Sequence, residues 1–136
     1  MTEEMKKYES VAQLFDIEGE VTGVEPYGEG HINLTLLVTT TEKRYIMQKI
    51  NTSLFSEVDK LMNNIMLVTE HVKHNYPNET TLSLVYTLEG DSFLKSDIGC
   101  FRMYDFIENS VCLQIVSNPY EFNQSAVTFG RFLNML

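Results

Sequence analysis

The chain is expected to fold as an α+β domain: an antiparallel sheet of about five strands, one principal packed helix and a C-terminal helix. Three observations carry this. Residues 20–50 hold three consecutive extended stretches, rich in β-branched residues and joined by short polar connections, the pattern of an antiparallel meander. The period then changes, and Val58, Leu61, Met62, Ile65, Val68, Thr69 and Val72 fall on one helical face. Apolar strand patterns return at 82–88 and 100–107 before a second amphipathic helix opens.

Residues 1–14 read as a short amphipathic helix or a partly frayed arm. Glu20–Tyr27 is the first strand, Gly28-Glu29-Gly30 its turn, and His31–Thr40 the second strand, alternating over part of its length. Thr41-Glu42-Lys43 is a hairpin turn and Arg44–Ile50 the third strand. Ser56 is a plausible helix N-cap, Glu57 and Asp59 place negative charge in the first turn, and Lys73 and His74 suit the last. Asn75-Tyr76-Pro77-Asn78 ends that helix. Leu82–Leu88 is a strand, Ser92–Lys95 a short one, and Cys100–Ile107 the last. Asn118-Pro119 then starts a helix carrying Phe122, Ala126, Phe129, Phe132, Leu133 and Leu136.

Composition limits the function. The 136 residues carry 10 Lys+Arg against 19 Asp+Glu, a net charge of −9, with 43% hydrophobic and 21% charged residues. These are the proportions of a folded soluble domain. The acidic balance argues against a general binder of nucleic-acid backbones. No run approaches a membrane span, and the N-terminus does not read as a secretory signal, so a cytoplasmic location and a reducing environment are expected. Cys100 and Cys112 have no CxxC spacing and are expected as buried free thiols, one disulfide being the alternative. His71 and His74 lie on a polar helix face, and no metal site is expected in this chain.

On spacing alone Gly28-Glu29-Gly30 is an ordinary hairpin turn, but the order of the motifs is also that of a phosphate-binding lobe. A hairpin with little side chain at its tip can lay backbone N–H groups over phosphates. A lysine on the third strand can reach them, and an acid on the following helix can hold that lysine. Alternation puts Tyr45, Met47 and Lys49 on one face of the strand and Ile46, Gln48 and Ile50 on the other. Two registers stay open: Lys49 reaches the phosphates, or Gln48 takes that place and Lys49 is a surface charge.

Four strings occur in order. They are Pro26–Asn33 (PYGEGHIN), Tyr45–Asn51 (YIMQKIN) with Leu61-Met62-Asn63-Asn64 after it, Arg102–Glu108 (RMYDFIE), and Phe129-Gly130-Arg131-Phe132 with Leu136. Together they resemble the aminoglycoside phosphotransferase/choline kinase family, in particular its N-acetylhexosamine 1-kinase branch, from about residue 15 to the C-terminus. The resemblance implies a protein-kinase-like N-terminal lobe. It implies that Gly28, Gly30, His31, Ile32 and Asn33 form the phosphate-covering loop, that Lys49 reaches the phosphates of ATP, and that Met47 lies under the adenine. Ile46 and Ile50 then point to the helix and core. Asp105, Phe106, Ile107 and Glu108 form the hinge and offer main-chain groups to the base. The family's helix acid is missing, because Asn63 stands where relatives have Glu. Glu57, nearer the apolar stripe, is the alternative partner for Lys49, or else a plain first-turn acid.

The resemblance also divides the chain: residues 1–14 as an arm or short helix, 15–109 as the nucleotide lobe, and 110–136 as the start of a second lobe. The family's HxD…N loop and its Mg2+-holding aspartate have no counterpart here, since His31, His71 and His74 are followed by Ile-Asn, Val-Lys and Asn-Tyr. The expectation is thus the ATP-binding lobe, as a fragment inactive by itself, of a phosphotransferase acting on a hydroxyl of a sugar such as an N-acetylhexosamine. Mg2+ ligands are expected outside it. Choline, homoserine or aminoglycoside acceptors are alternatives. A non-catalytic interaction module, pairing as a homodimer through an exposed apolar face, is the rival reading.

Overall fold

The computed structural model describes residues 2–28, 32–110, 115 and 117–136. Along the chain run α1 (Glu3–Ala12), β1 (Val21–Pro26), β2 (Leu34–Thr40), β3 (Arg44–Lys49), α2 (Val58–Asn75), β4 (Leu84–Val85), β5 (Leu94–Ser96), β6 (Gly99–Asp105) and α3 (Pro119–Met135). The strands form one antiparallel sheet in the order β1-β2-β3-β6-β4, with the short β5 hairpinned onto β6. It has six strands where about five were expected.

The two faces of the sheet are dressed differently. On one, Val24, Leu36, Val38, Tyr45, Met47, Phe101 and Met103 pack with Tyr8, Val11 and Ala12 of α1 and with Phe15. Helix α1 is capped by the Thr2 hydroxyl, which accepts the Met5 N–H at 3.2 Å, and has Glu3 and Glu4 in its first turn. Both devices favour the start of a helix. The segment after it is pinned to the same face. The Tyr45 hydroxyl accepts the Glu18 N–H at 2.9 Å, and the Asp16 and Leu88 N–H groups donate to Tyr86 and Leu14 carbonyls. Glu3–Ala12 is therefore an anchored helix that closes this face.

The other face is covered by α2 over part of its area, through Ile50, Val58, Met62, Leu84 and Tyr104. Helix α2 matches the periodicity, but Glu57 occupies the cap position with no side-chain cap bond, and Ser56 precedes it. Strand β4 is much shorter than the 82–88 pattern. The chain pairs with β6 at Leu84 and Val85 and then turns to bridge Phe15 through Thr87.

Asn118 caps α3 by accepting the Glu121 N–H at 2.8 Å, with Pro119 in the first turn. The helix is tied to the rest by the Arg131–Glu79 ion pair and by a His71 ring nitrogen bonded to the Met135 carbonyl at 2.6 Å. No α3 residue is buried. An apolar cleft of about 880 Å³ separates it from α2, lined by Ile65, Val68, Phe129 and Phe132 among others. No helix among the described residues is long and apolar enough to cross a membrane.

Candidate functional site

Where α2 leaves the sheet uncovered, a cavity of about 380 Å³ opens. Strand alternation builds its floor. Register pairs Thr35 with Gln48, Leu37 with Ile46, Gln48 with Arg102, and Ile46 with Tyr104, so these side chains share one face. Tyr27 extends that face past β1, its N–H donating to the Thr35 carbonyl at 3.0 Å. Ile46, Gln48, Arg102 and Tyr104 line the cavity, and Tyr27, Phe106 and Ile107 bound its outer end. Tyr27 and Phe106 meet edge to face, 5.7 Å between centroids.

The segment after β6 is held by cations from the start of β3. Lys43 Nζ pairs with Asp105 Oδ1 at 2.9 Å. Arg44 donates to both carboxylate oxygens of Glu108 and stacks on Phe106 with its guanidinium carbon 4.2 Å from the ring centroid. These bonds raise the pKa of Lys43 and hold the Glu108 carboxyl below its ordinary value. Burial pushes the Tyr104 phenol up, which Arg102 opposes. Tyr104 therefore stays neutral.

The structure separates the expected site residues into groups. Gly28 has φ +74, a left-handed conformation that suits glycine. Ile32 is exposed. Asn33 is a structural tie: its Oδ1 accepts the Asn51 N–H at 2.8 Å, and the Asn51 amide donates to the Ile32 carbonyl at 3.1 Å. Gly30, His31 and Cys112 lie outside the described residues.

Met47 and Lys49 are not where the resemblance puts them. Met47 is 0% exposed in the core beneath α1, so it cannot underlie a base. Lys49 shares that face, with its stem against Gly99; a Cβ on Gly99 would lie 2.7 Å from Lys49 Cε. The strand presents Ile46 and Gln48 to the cavity instead, while Ile50 packs toward α2 as expected. Glu57 does not partner Lys49 either: it pairs with Lys60 at 3.1 Å on the exposed start of α2. In the hinge segment the Asp105 and Phe106 N–H groups are spent on Ser83 and Arg44 carbonyls. Asp105 and Glu108 contribute side-chain clamps, and Ile107 lines the cavity.

Arg102 is the cavity residue that opens the Arg102–Glu108 string and to which the motifs assigned no role. Its Nε donates to Gln48 Oε1 at 3.0 Å, and Gln48 Nε2 donates to Thr35 Oγ1 at 3.1 Å. Its guanidinium carbon also lies 5.5 Å from the Tyr104 ring centroid. The signal was visible: an arginine in the middle of the otherwise apolar run Cys100-Phe101-Arg102-Met103-Tyr104, which needs a polar or solvated surface. Among the described residues, no group of three or more His, Cys, Asp or Glu side chains is placed to hold a metal.

No family model matches the chain. Among solved structures it is similar to the crystal structure of spectinomycin phosphotransferase, APH(9)-Ia, in complex with ADP and spectinomycin. The TM-score is 0.59 at 12% identity, over 88% of this chain and 34% of that one. The chain thus spans about a third of the length of that protein. The likeness is one of fold: the chain has the fold of the N-terminal lobe of a kinase-like protein.

Proposed function

We propose that this chain is a nucleotide-binding lobe that holds ATP in the cavity on the α2 face of the sheet. The observation that supports it most is a convergence. Tyr27 just past β1, Ile46 and Gln48 in the middle of β3, and Phe106 and Ile107 just past β6 all line one cavity with an aromatic, apolar outer end and a polar inner end. Tyr27, Ile46, Tyr104 and Ile107 suit an adenine ring, with Gln48 and Arg102 at the inner end. The structural neighbour was solved with ADP, in keeping with this assignment.

The described residues offer no cluster of three or more His, Cys, Asp or Glu side chains for Mg2+. The lobe binds nucleotide, and the phosphoryl transfer belongs to a larger phosphotransferase; the support is that this chain matches 34% of the length of its structural neighbour. A sugar hydroxyl, such as that of an N-acetylhexosamine, is the proposed acceptor. The support for it is the sequence resemblance of Pro26–Asn33 and Tyr45–Asn51.

Thermal unfolding tests the nucleotide reading. MgATP at about 100 times its dissociation constant adds about 2.7 kcal/mol, which raises the midpoint of a chain this size by roughly 5–10 °C. No rise at millimolar nucleotide would sink it.

A second reading, an interaction module, is favoured by α3, where Tyr120, Phe122, Phe129 and Leu133 are exposed. A face of that kind promotes association. It requires a concentration-dependent, nucleotide-independent dimer in light scattering.

A further inference from the structure

On the reading that the cavity takes a nucleotide, we propose that Arg102 is the cation that receives its phosphates, with Gln48 as the positioning residue that aims it. The resemblance gives that task to Lys49, and the fold turns Lys49 to the opposite face.

Arg102 enters the face from β6 directly beside Gln48 on β3. Gln48 is fixed at both ends, its amide N–H on Thr35 and its carbonyl oxygen on Arg102 Nε. The bridge therefore runs across β2, β3 and β6 on the cavity floor. With Nε engaged, the guanidinium's terminal nitrogens remain, one of them 3.9 Å from Met62 Sδ, a weak acceptor. That edge is the fork that binds oxyanions in two-point fashion.

Among the described residues the charge is also uncompensated. Lys43, Arg44, Lys60, Lys6 and Arg131 each pair with a carboxylate. Arg102 is half-buried, lines the cavity and has no carboxylate partner among the described residues. A partly desolvated guanidinium without a counter-charge favours an incoming anion. Adjacent Tyr104 stays neutral and cannot supply one.

The test compares adenosine, ADP and ATP by calorimetric titration of the 136-residue chain and its variants. Arg102→Met is expected to weaken ADP and ATP about tenfold while leaving adenosine within about twofold, the signature of one lost charge-assisted phosphate contact. Gln48→Ala is expected to weaken ATP by a few-fold with the same sparing of adenosine, a split that a merely structural role would not produce. Lys49→Met is expected to change none of the three. Arg102→Met combined with Gln48→Lys returns a cation to the same face and recovers much of the ATP affinity. Should Arg102→Met fail to fold, Arg102→Lys, which keeps the charge and loses the Nε bond, is expected to weaken ATP a few-fold and spare adenosine. Undiminished ATP binding in the Arg102 variants, or a tenfold loss in Lys49→Met, overturns this proposal while adenosine binding keeps the nucleotide reading alive. Failure of the unmodified chain to bind either adenosine or ATP overturns both.

Discussion

Met47 and Ile46 are chain neighbours on opposite faces of β3, so truncating each to alanine separates stability from binding. Met47 is fully buried in the cluster beneath α1. Removing its side chain from such a site costs about 3 kcal/mol, a transfer loss plus a cavity that neighbours only partly refill. Ile46 is half-buried at the cavity edge, so it forfeits less burial, about 1 kcal/mol. For 136 residues, the low end of the usual per-residue stability is about 7 kcal/mol, so both variants remain folded. Urea unfolding followed by circular dichroism should show a large drop in midpoint for Met47→Ala and a small one for Ile46→Ala. ATP titration should show the reverse order: Met47→Ala unchanged within about twofold, and Ile46→Ala about fivefold weaker through lost contact with the base. Weakened ATP binding in a folded, nearly wild-type-stable Met47→Ala protein would refute the assignment of faces.

Gly99 has φ +133, so Gly99→Ala should destabilise the chain by about 1–3 kcal/mol. Lys49→Ala in the same chain should relieve only the side-chain clash, and a full recovery would show that the backbone is not the cause. Asn33→Ala removes the acceptor of the Asn51 N–H; a cost of about 1 kcal/mol and faster hydrogen exchange at Asn51 are expected, and unchanged exchange would contradict the tie. Glu108 has its folded pKa held below the ordinary 4.5 by the hydrogen bonds from Arg44. Its contribution is therefore present above about pH 4.5 and lost as pH falls through the folded value. Glu108→Gln should flatten that part of the stability–pH profile, and an unaltered acid limb would count against the Arg44–Glu108 clamp.

Most of the element order was legible because local signals decide it. The spacing from Val58 to Val72 is strong enough to define α2, and Asn118-Pro119 marks the start of α3 by capping chemistry alone. Strand β4 was overextended because Tyr86-Thr87-Leu88 alternate like a strand, while Phe15 and Leu14 draw that stretch away. Alternation also split β3 correctly into two faces. Which face meets the cavity was not readable from β3 itself. It depends on α1, whose Tyr8, Val11 and Ala12 claim the Tyr45/Met47 side, and a helix that could equally be a frayed arm carries no such information. The Glu57–Lys49 pair fell with the same face. Arg102 was readable as a charge within an apolar strand, but its meaning came only once β6 lay beside β3.

On the proposed reading the nucleotide lies on the Ile46/Gln48 face and not on the Met47/Lys49 face. Methyl NMR of an isoleucine- and methionine-labelled chain under MgATP titration tests it most directly. A saturable shift of the Ile46 methyl is expected, with the Met47 methyl unmoved. Shifts at Met47 with Ile46 silent, or no shift at either at millimolar nucleotide, would contradict it.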